Sequence, residues 1–235
     1  MQQDGQRIHP RERLDCAIEL LSGARVVADV GCDHGRLSCA LIQRHLVSHC
    51  IAIDISEPSL KKAEKLARQI GAEDRVETRL GDGLKPLHAG EADAIAILGM
   101  GGTLMTEILD VSPPLMGAGK AVLQPMRAPD DIRKWLYERN YPVLDDRVVL
   151  DTGRYYQIFS VGQPQAQRQT LPDGWPEDCF VLGYTAFANR EPQMKPLAER
   201  MLATTRRKLK TQRAEALTRL SAQLEQILTL WEKKS

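Results

Sequence analysis

Apolar and polar positions along the chain fall into two regimes. Up to about residue 161, short apolar runs alternate with stretches in which apolar residues recur every three or four positions. The runs at 26–30, 50–55, 75–80, 92–98, 120–124, 143–150 and 155–161 predict strands. The periodic stretches at 37–46, 58–69, 103–109 and 130–140 predict helices, and Ile8, Leu14, Ala17, Ile18 and Leu21 predict an earlier amphipathic helix within 7–22. Val26, Val27, Ala28 and Val30 have the character of a strand buried on both faces. Alternation of this kind predicts an α/β fold: a doubly wound, Rossmann-like sheet with helices on both faces. The last two strands are separated only by Asp151-Thr152-Gly153-Arg154, which predicts a hairpin and an antiparallel final strand in a seven-stranded sheet.

The second regime follows a stretch at 163–178 rich in Gln, Pro and Gly, which reads as a linker. From Leu197 to Ser235 there is neither Gly nor Pro, and good helix formers dominate. Leu217, Leu220, Leu224, Ile227 and Trp231 recur at steps of three and four, a heptad-like seam. As one rod these ~39 residues would span roughly 58 Å, so a helical hairpin competes with a continuous helix. The expected organisation is a sheet domain over 1–162, then a linker and a C-terminal helical coiled-coil domain over 163–235.

Composition removes several function classes. A net charge of +1 with 27% charged residues excludes a globally basic nucleic-acid binder, so any such surface has to be a local patch. Five cysteines form no Cys-x-x-Cys pair, which argues against a disulfide framework and against a zinc site. The first residues lack an apolar signal core and no apolar run approaches ~18 residues. A soluble, cytoplasmic chain with no metal and no membrane partner is expected; the residues leave the oligomeric state open, with a monomer favoured over an oligomer.

Candidate chemistry sits at the strand ends. Asp29-Val30-Gly31-Cys32-Asp33-His34-Gly35 joins the first strand to a helix whose N-terminus faces whatever lies above the sheet. A nicotinamide fingerprint would be Gly-x-Gly-x-x-Gly, with close glycines that admit a pyrophosphate. Here Asp33 occupies the middle of the loop and would repel phosphates. S-adenosylmethionine carries a sulfonium and an ammonium and no phosphate, so an acidic loop suits it. Asp54, ending the second strand about 20 residues on, is placed to accept the two ribose hydroxyls of an adenosine-containing cofactor. Asp82, in Gly81-Asp82-Gly83, ends the third strand and is a candidate acceptor for an adenine amine; its alternative is a simple turn aspartate. The fourth strand runs into Gly99-Met100-Gly101-Gly102, a glycine loop that would let a flat acceptor approach, with Met100 packing on its face. Arg206, Arg207, Lys208, Lys210 and Arg213 crowd the helical tail, and Arg7, Arg11 and Arg13 lie near the start. Both groups are candidates for phosphate contacts or for ordinary solvated faces.

Together, Val26 to Gly35, Asp82-Gly83-Leu84, Leu98-Gly99-Met100-Gly101-Gly102, Leu123-Gln124-Pro125 and Arg133-Lys134-Trp135-Leu136 resemble the bacterial tRNA (adenine(22)-N1)-methyltransferase family over most of the first ~160 residues. The resemblance implies a class I methyltransferase sheet that binds S-adenosylmethionine, a C-terminal coiled-coil domain, and methyl transfer to N1 of an adenine in tRNA. It implies that Arg13, Asp29, Gly31, Cys32, Asp33, His34, Asp54, Ile55, Asp82, Gly83 and Gly99 hold the cofactor. Asp33, Met100 and Gly101 are the candidate catalytic set. Gly102, Gln124, Pro125, Arg206, Arg207 and Lys210 are the candidate substrate contacts, with tRNA the implied partner. The chain departs from the family's usual Ser at Cys32, its Tyr-Leu-Pro run at 35–38 and its Asn at Met126. Two other readings remain open on the residues alone: a class I methyltransferase acting on a small molecule, and a non-catalytic adaptor that keeps the cofactor fold.

Overall fold

A computed structural model describes residues 12–111, 113–212 and 214–233. Its centre is β1 (Val26–Val30), four of whose five residues are buried, as the apolar run requires. Around it the chain alternates: α1 (Glu12–Leu20), β1, α2 (Arg36–Gln43), β2 (His49–Asp54), α3 (Glu57–Gln69), β3 (Val76–Leu80), β4 (Ala94–Gly101), α4 (Gly102–Asp110), β5 (Lys120–Arg127), α5 (Pro129–Glu138), β6 (Val143–Asp151) and β7 (Arg154–Val161). The seven strands lie in the order β3-β2-β1-β4-β5-β7-β6. β1 to β5 pair in parallel, while β7 is antiparallel to both β5 and β6. The turn between β6 and β7 is two residues, Thr152 at φ 49 and Gly153 at φ 77, the left-handed pair that a tight hairpin matching strand twist demands.

Alternate residues of the buried strands feed two cores. On one face α1, α2 and α3 cover Val27, Cys50, Ala52, Ala94, Ala96, Val122 and Ile158. On the other, α4 and α5 cover Val30, Ile53, Ile97, Leu123 and Phe159. That second core also takes in the remaining helices, α6 (Tyr184–Ala188), α7 (Met194–Leu209) and α8 (Glu215–Lys233), through Phe187, Leu197, Leu224, Ile227 and Trp231. Among the described residues no helix is long and apolar enough to cross a membrane.

One sequence expectation left open is decided, and another changes. The tail is a helical hairpin and not a rod: α7 and α8 break at residues 210–214 and pack on each other. Its seam is uneven, with Leu224, Ile227 and Trp231 buried and Leu217 and Leu220 only half-buried. The glycine stretch Gly99-Met100-Gly101, expected as a loop, instead prolongs β4. Met100 pairs with Pro125 and Gly101 with Arg127 across a bulge, because glycines let the strand kink without losing its partner. The stretch at 163–178 is irregular but tied down: Gln163 donates to the Ala118 carbonyl, and the Gln169 amide bonds both the N–H and the C=O of Val143.

Candidate active site

The parallel strands end along one edge of the sheet, and the first crossover loop there is held by backbone bonds. The amides of Gly31 and Cys32 both donate to the Ile53 carbonyl, at 2.8 and 3.1 Å. Gly31 has φ 71, and a side chain there would strike the Met100 methyl. Asp33 has φ 50, a left-handed conformation that glycine supplies most easily and that aspartate tolerates. Its amide donates to Asp54 Oδ2 at 3.0 Å, while Asp54 Oδ1 accepts the Ser56 amide at 2.9 Å. Asp54 therefore braces the loop besides standing where a ribose would lie. Ser56, not Asp54, caps α3, accepting the Ser59 amide.

Beneath the loop, Asp29 is buried against α2 and accepts the Ser38 hydroxyl at 2.8 Å. Burial pushes its carboxyl up to about 6, opposed by the Ser38 hydrogen bond and reinforced by the nearby Asp54 charge. Ser38 carried a faint sequence signal, a hydroxyl on the apolar face of its helix. Cys32 is buried as well, and burial next to three aspartates raises its thiol far above the ordinary range, so it is an inert packing residue. His34 Nε2 lies 3.0 Å from the Lys62 ammonium and 3.4 Å from Asp33 Oδ1. An ammonium can only donate, so at the Lys62 contact Nε2 is the acceptor.

Arg13, Leu14, Gly31, Asp33, Leu98, Gly99, Met100 and Gln124 enclose a cavity of about 360 Å³. Leu14 stands in no motif, and Leu98 only opens the Leu98–Gly102 run, so the apolar character of both reads as core. Arg13 reaches in from α1, its guanidinium 5.0 Å from the centre of the Tyr156 ring and 3.6 Å from Met126 Sδ. The buried Gln124 amide also points to Met126 Sδ, at 3.5 Å. No carboxylate pairs with Arg13 among the described residues. One unpaired guanidinium facing a loop of carboxylates is complementary to a zwitterion: an anionic group toward Arg13, a cationic one toward Asp33 and the Asp29 side of the loop.

Beyond the cavity, Asp82 is exposed and pairs with Lys85 at 2.6 Å, and Gly83 rests on Ile108. Ile55 and Leu80 are 74% and 60% exposed on the ends of adjacent strands, an apolar shelf between Asp54 and Asp82 suited to a flat ring. Leu80 went unnoticed in the sequence because a terminal strand leucine reads as core. Pro125 is buried beside Met100 in the sheet, and Gly102 is buried against the Ala128 carbonyl, so neither lines the cavity, nor does Gly101. Arg206, Arg207 and Lys210 lie at the far end of α7, where Arg206 pairs with Glu225 at 3.2 Å. Arg7, Arg11 and Arg213 fall outside the described residues. Among those described, no group of three or more His, Cys, Asp or Glu is placed to hold a metal.

Comparison with known proteins places this geometry. The tRNA (adenine(22)-N(1))-methyltransferase of Bacillus subtilis (strain 168) is 34% identical over 149 residues, 63% of either chain, so this chain spans a little under two thirds of that relative's length. The crystal structure of the B. subtilis m1A22 tRNA methyltransferase TrmK is 25% identical, with a TM-score of 0.76 over 96% of this chain and 98% of that one. M. capricolum TrmK in complex with S-adenosyl-homocysteine shares the fold at 19% identity, with a TM-score of 0.78 over 95% and 98% of the two chains. The family described as "Methyltransferase domain" matches residues 11–159. That match takes in the cavity, the loop after β1 and all of the sheet but the last two residues of β7, and the chain belongs to the methyltransferase domain family.

Proposed function

We propose that the protein methylates N1 of an adenine in tRNA, at position 22, using S-adenosylmethionine. The observation that carries the reading is the electrostatics of the crevice. Asp29, Asp33, Asp54 and Asp82 gather along the first three strand ends, with the unpaired Arg13 facing Asp33 across the cavity. That set disfavours a pyrophosphate and fits an amino-acid zwitterion joined to an adenosine. The names of the similar B. subtilis and M. capricolum proteins support the same substrate and cofactor.

In this reading Arg13 takes the cofactor's carboxylate and the loop around Asp29 and Asp33 its ammonium. Asp54 accepts the ribose hydroxyls, Asp82 the adenine amine, and Ile55 with Leu80 flank the ring. When bound, the cofactor supplies an electrophilic methyl group. The chain's part is alignment: Gly99, Met100 and Gln124 shape the wall beside the loop, and a well-placed acceptor nitrogen needs little further activation. Adenine N1 becomes cationic as it is methylated, and Asp33, exposed and within the cavity lining, stabilises that charge or accepts the N6 proton. A base paired in tRNA must be turned out to reach this wall, at a cost of a few kcal/mol that a shaped pocket offsets. Residues 1–162 form the methyl-transferring unit and 163–235 the helical unit, and the protein works in the cytoplasm.

The test is methyl transfer from labelled S-adenosylmethionine to unmodified tRNA, followed by nucleoside analysis, with Asp33→Ala alongside. Appearance of 1-methyladenosine that drops sharply in the variant supports the proposal. Cofactor binding without labelled tRNA overturns the substrate assignment and leaves a small-molecule acceptor.

A further inference from the structure

We infer that a second pocket, formed where the β6–β7 turn meets α7 and α8, grips the phosphate backbone of the RNA substrate. The inference rests on the reading of the protein as an RNA methyltransferase, and it locates the grip on Arg154 and Arg200 together with a single member of the tail cluster, Lys208. The pocket has a volume of about 430 Å³ and is lined by Arg154, Tyr155, Arg200, Thr204 and Lys208 over an apolar floor. Arg200 is aimed: its guanidinium donates to the Gly153 carbonyl at 3.1 Å and stands 5.6 Å from the centre of the Tyr155 ring. Among the described residues, no carboxylate pairs with Arg154, Arg200 or Lys208. Asp151, opposite Arg154 across the turn, is buried and does not line the pocket. Three cations beside a threonine hydroxyl and an aromatic face, at the rim of an apolar floor, suit a phosphodiester with its sugar packed on that floor.

Topology puts this pocket at the same C-terminal edge of the sheet as the methyl-transfer cavity, on the face covered by α7 and α8 and not that covered by α1. β7 is antiparallel to both β5 and β6, so β6 runs with the parallel strands, and its C-terminal turn lies at the edge where β1 and β4 end. Continuing the β5–β7 register from Leu123 opposite Phe159 brings Arg127 opposite Tyr155. Tyr155 is on β7, two strands from β4 in the sheet order, and its neighbour Tyr156 carries the Arg13 guanidinium of the cavity 5.0 Å from its ring centre. Exposed Met126 and Arg127 lie between, and Arg127 has no acidic partner among the described residues. A chain whose base enters the cavity beside Gly99 can therefore lay its neighbouring phosphates across Arg127 into the pocket. The distal cations Arg206, Arg207 and Lys210 lie beyond it, and the contact of Arg206 with Glu225 reduces its availability.

The test is binding of unmodified tRNA to the full chain across a range of salt concentrations. The variants are Arg154→Glu with Lys208→Glu, the milder singles Arg154→Gln and Lys208→Gln, and Lys65→Glu on α3 as a remote charge control. Calorimetry with S-adenosylmethionine reports whether the cavity is intact. The double reversal should weaken tRNA binding about tenfold or more and lower the salt slope by roughly 1.4–1.8, as loss of two phosphate contacts requires. Cofactor affinity and the Lys65→Glu variant should be unchanged. If the double variant loses cofactor binding, the singles decide, since both side chains are free of ion pairs among the described residues. Wild-type binding that all these variants match within twofold overturns the pocket and leaves the enzyme assignment standing. Failure of the wild-type protein to bind tRNA at low salt removes both.

Discussion

The backbone N–H of Asp33 lies 3.0 Å from Asp54 Oδ2, so the loop after the first strand hangs on the carboxylate that ends the second. The other oxygen takes the Ser56 amide, and the α3 N-terminus is fixed by the same group. Asp54→Asn turns one acceptor into a donor facing an N–H, and Asp54→Ala removes both. Each should lower stability by about 1–3 kcal/mol, the range for losing charge-assisted bonds to backbone donors. S-adenosylmethionine affinity should fall at least as far. Thermal unfolding with and without cofactor, beside calorimetric titration, separates the effects; unchanged melting with reduced affinity would mean that Asp54 touches ligand only.

Gly31 is constrained from two sides, by its φ of 71 and by the Met100 methyl over it. Gly31→Ala pays about 1–2 kcal/mol for the left-handed backbone and further displaces Met100. Combining it with Met100→Ala should relieve the clash but not the backbone strain. The double variant should therefore recover part of the lost cofactor affinity, and full recovery would show that crowding was the whole effect.

The buried Asp29 has its carboxyl raised to about 6 from an ordinary value near 3.8. Between those values the folded protein holds more protons than the unfolded chain, so this group makes stability fall as pH rises from about 4 to 6 and contributes no further change above. Asp29→Asn keeps an oxygen for the Ser38 hydroxyl and never ionises. It should raise the stability of the ligand-free protein at pH 7 by up to about 3 kcal/mol and flatten its profile between pH 4 and 6. Asp146, also raised to about 6, contributes a slope of the same sign, so the difference between variant and wild type is the quantity to measure. The same substitution should weaken binding of the cationic cofactor, and chemical denaturation against pH together with titration checks both.

Arg133 is fully buried, its Nη2 donating to both oxygens of Asp146 at 3.0 and 3.1 Å and its guanidinium 4.6 Å from the centre of the Phe159 ring. Among the described residues its Nε and Nη1 have no hydrogen-bond partner. Asp146→Ala strands that charge and should cost about 3–5 kcal/mol, whereas Arg133→Met with Asp146→Leu should be close to neutral. Urea midpoints of the two proteins decide it; equal losses would show that the pair is worth its burial.

Much of the fold was legible because its signals are local. The apolar run at 26–30, its glycine-bounded loop, Ser56 before α3 and the two-residue turn before Arg154 are each written within a few residues. The prolongation of β4 was not, since pairing of Met100 with Pro125 depends on a partner strand and glycine reads equally as loop. The tail left rod and hairpin open for a related reason: no Gly or Pro marks residues 210–214, and the hairpin is selected by contacts distant in sequence, such as Arg206 with Glu225 at 3.2 Å and Trp231 with Phe187 at 5.6 Å. In the site, aspartates at strand ends were visible from spacing. Leu14, Leu98, Ser38 and Leu80 were not, because an apolar or hydroxyl residue acquires a role only from what folding places across from it.

Trp231 belongs to the same core as Val30 of β1, although roughly 200 residues of sequence separate them. Order of synthesis and order of assembly therefore run apart. The strand on which everything rests is made well before Trp231, which packs edge-on against Phe187, itself in contact with Trp175. A nascent chain keeps Phe187 of α6 uncovered until residue 231 has been made, so products that stop short of it are sticky fragments.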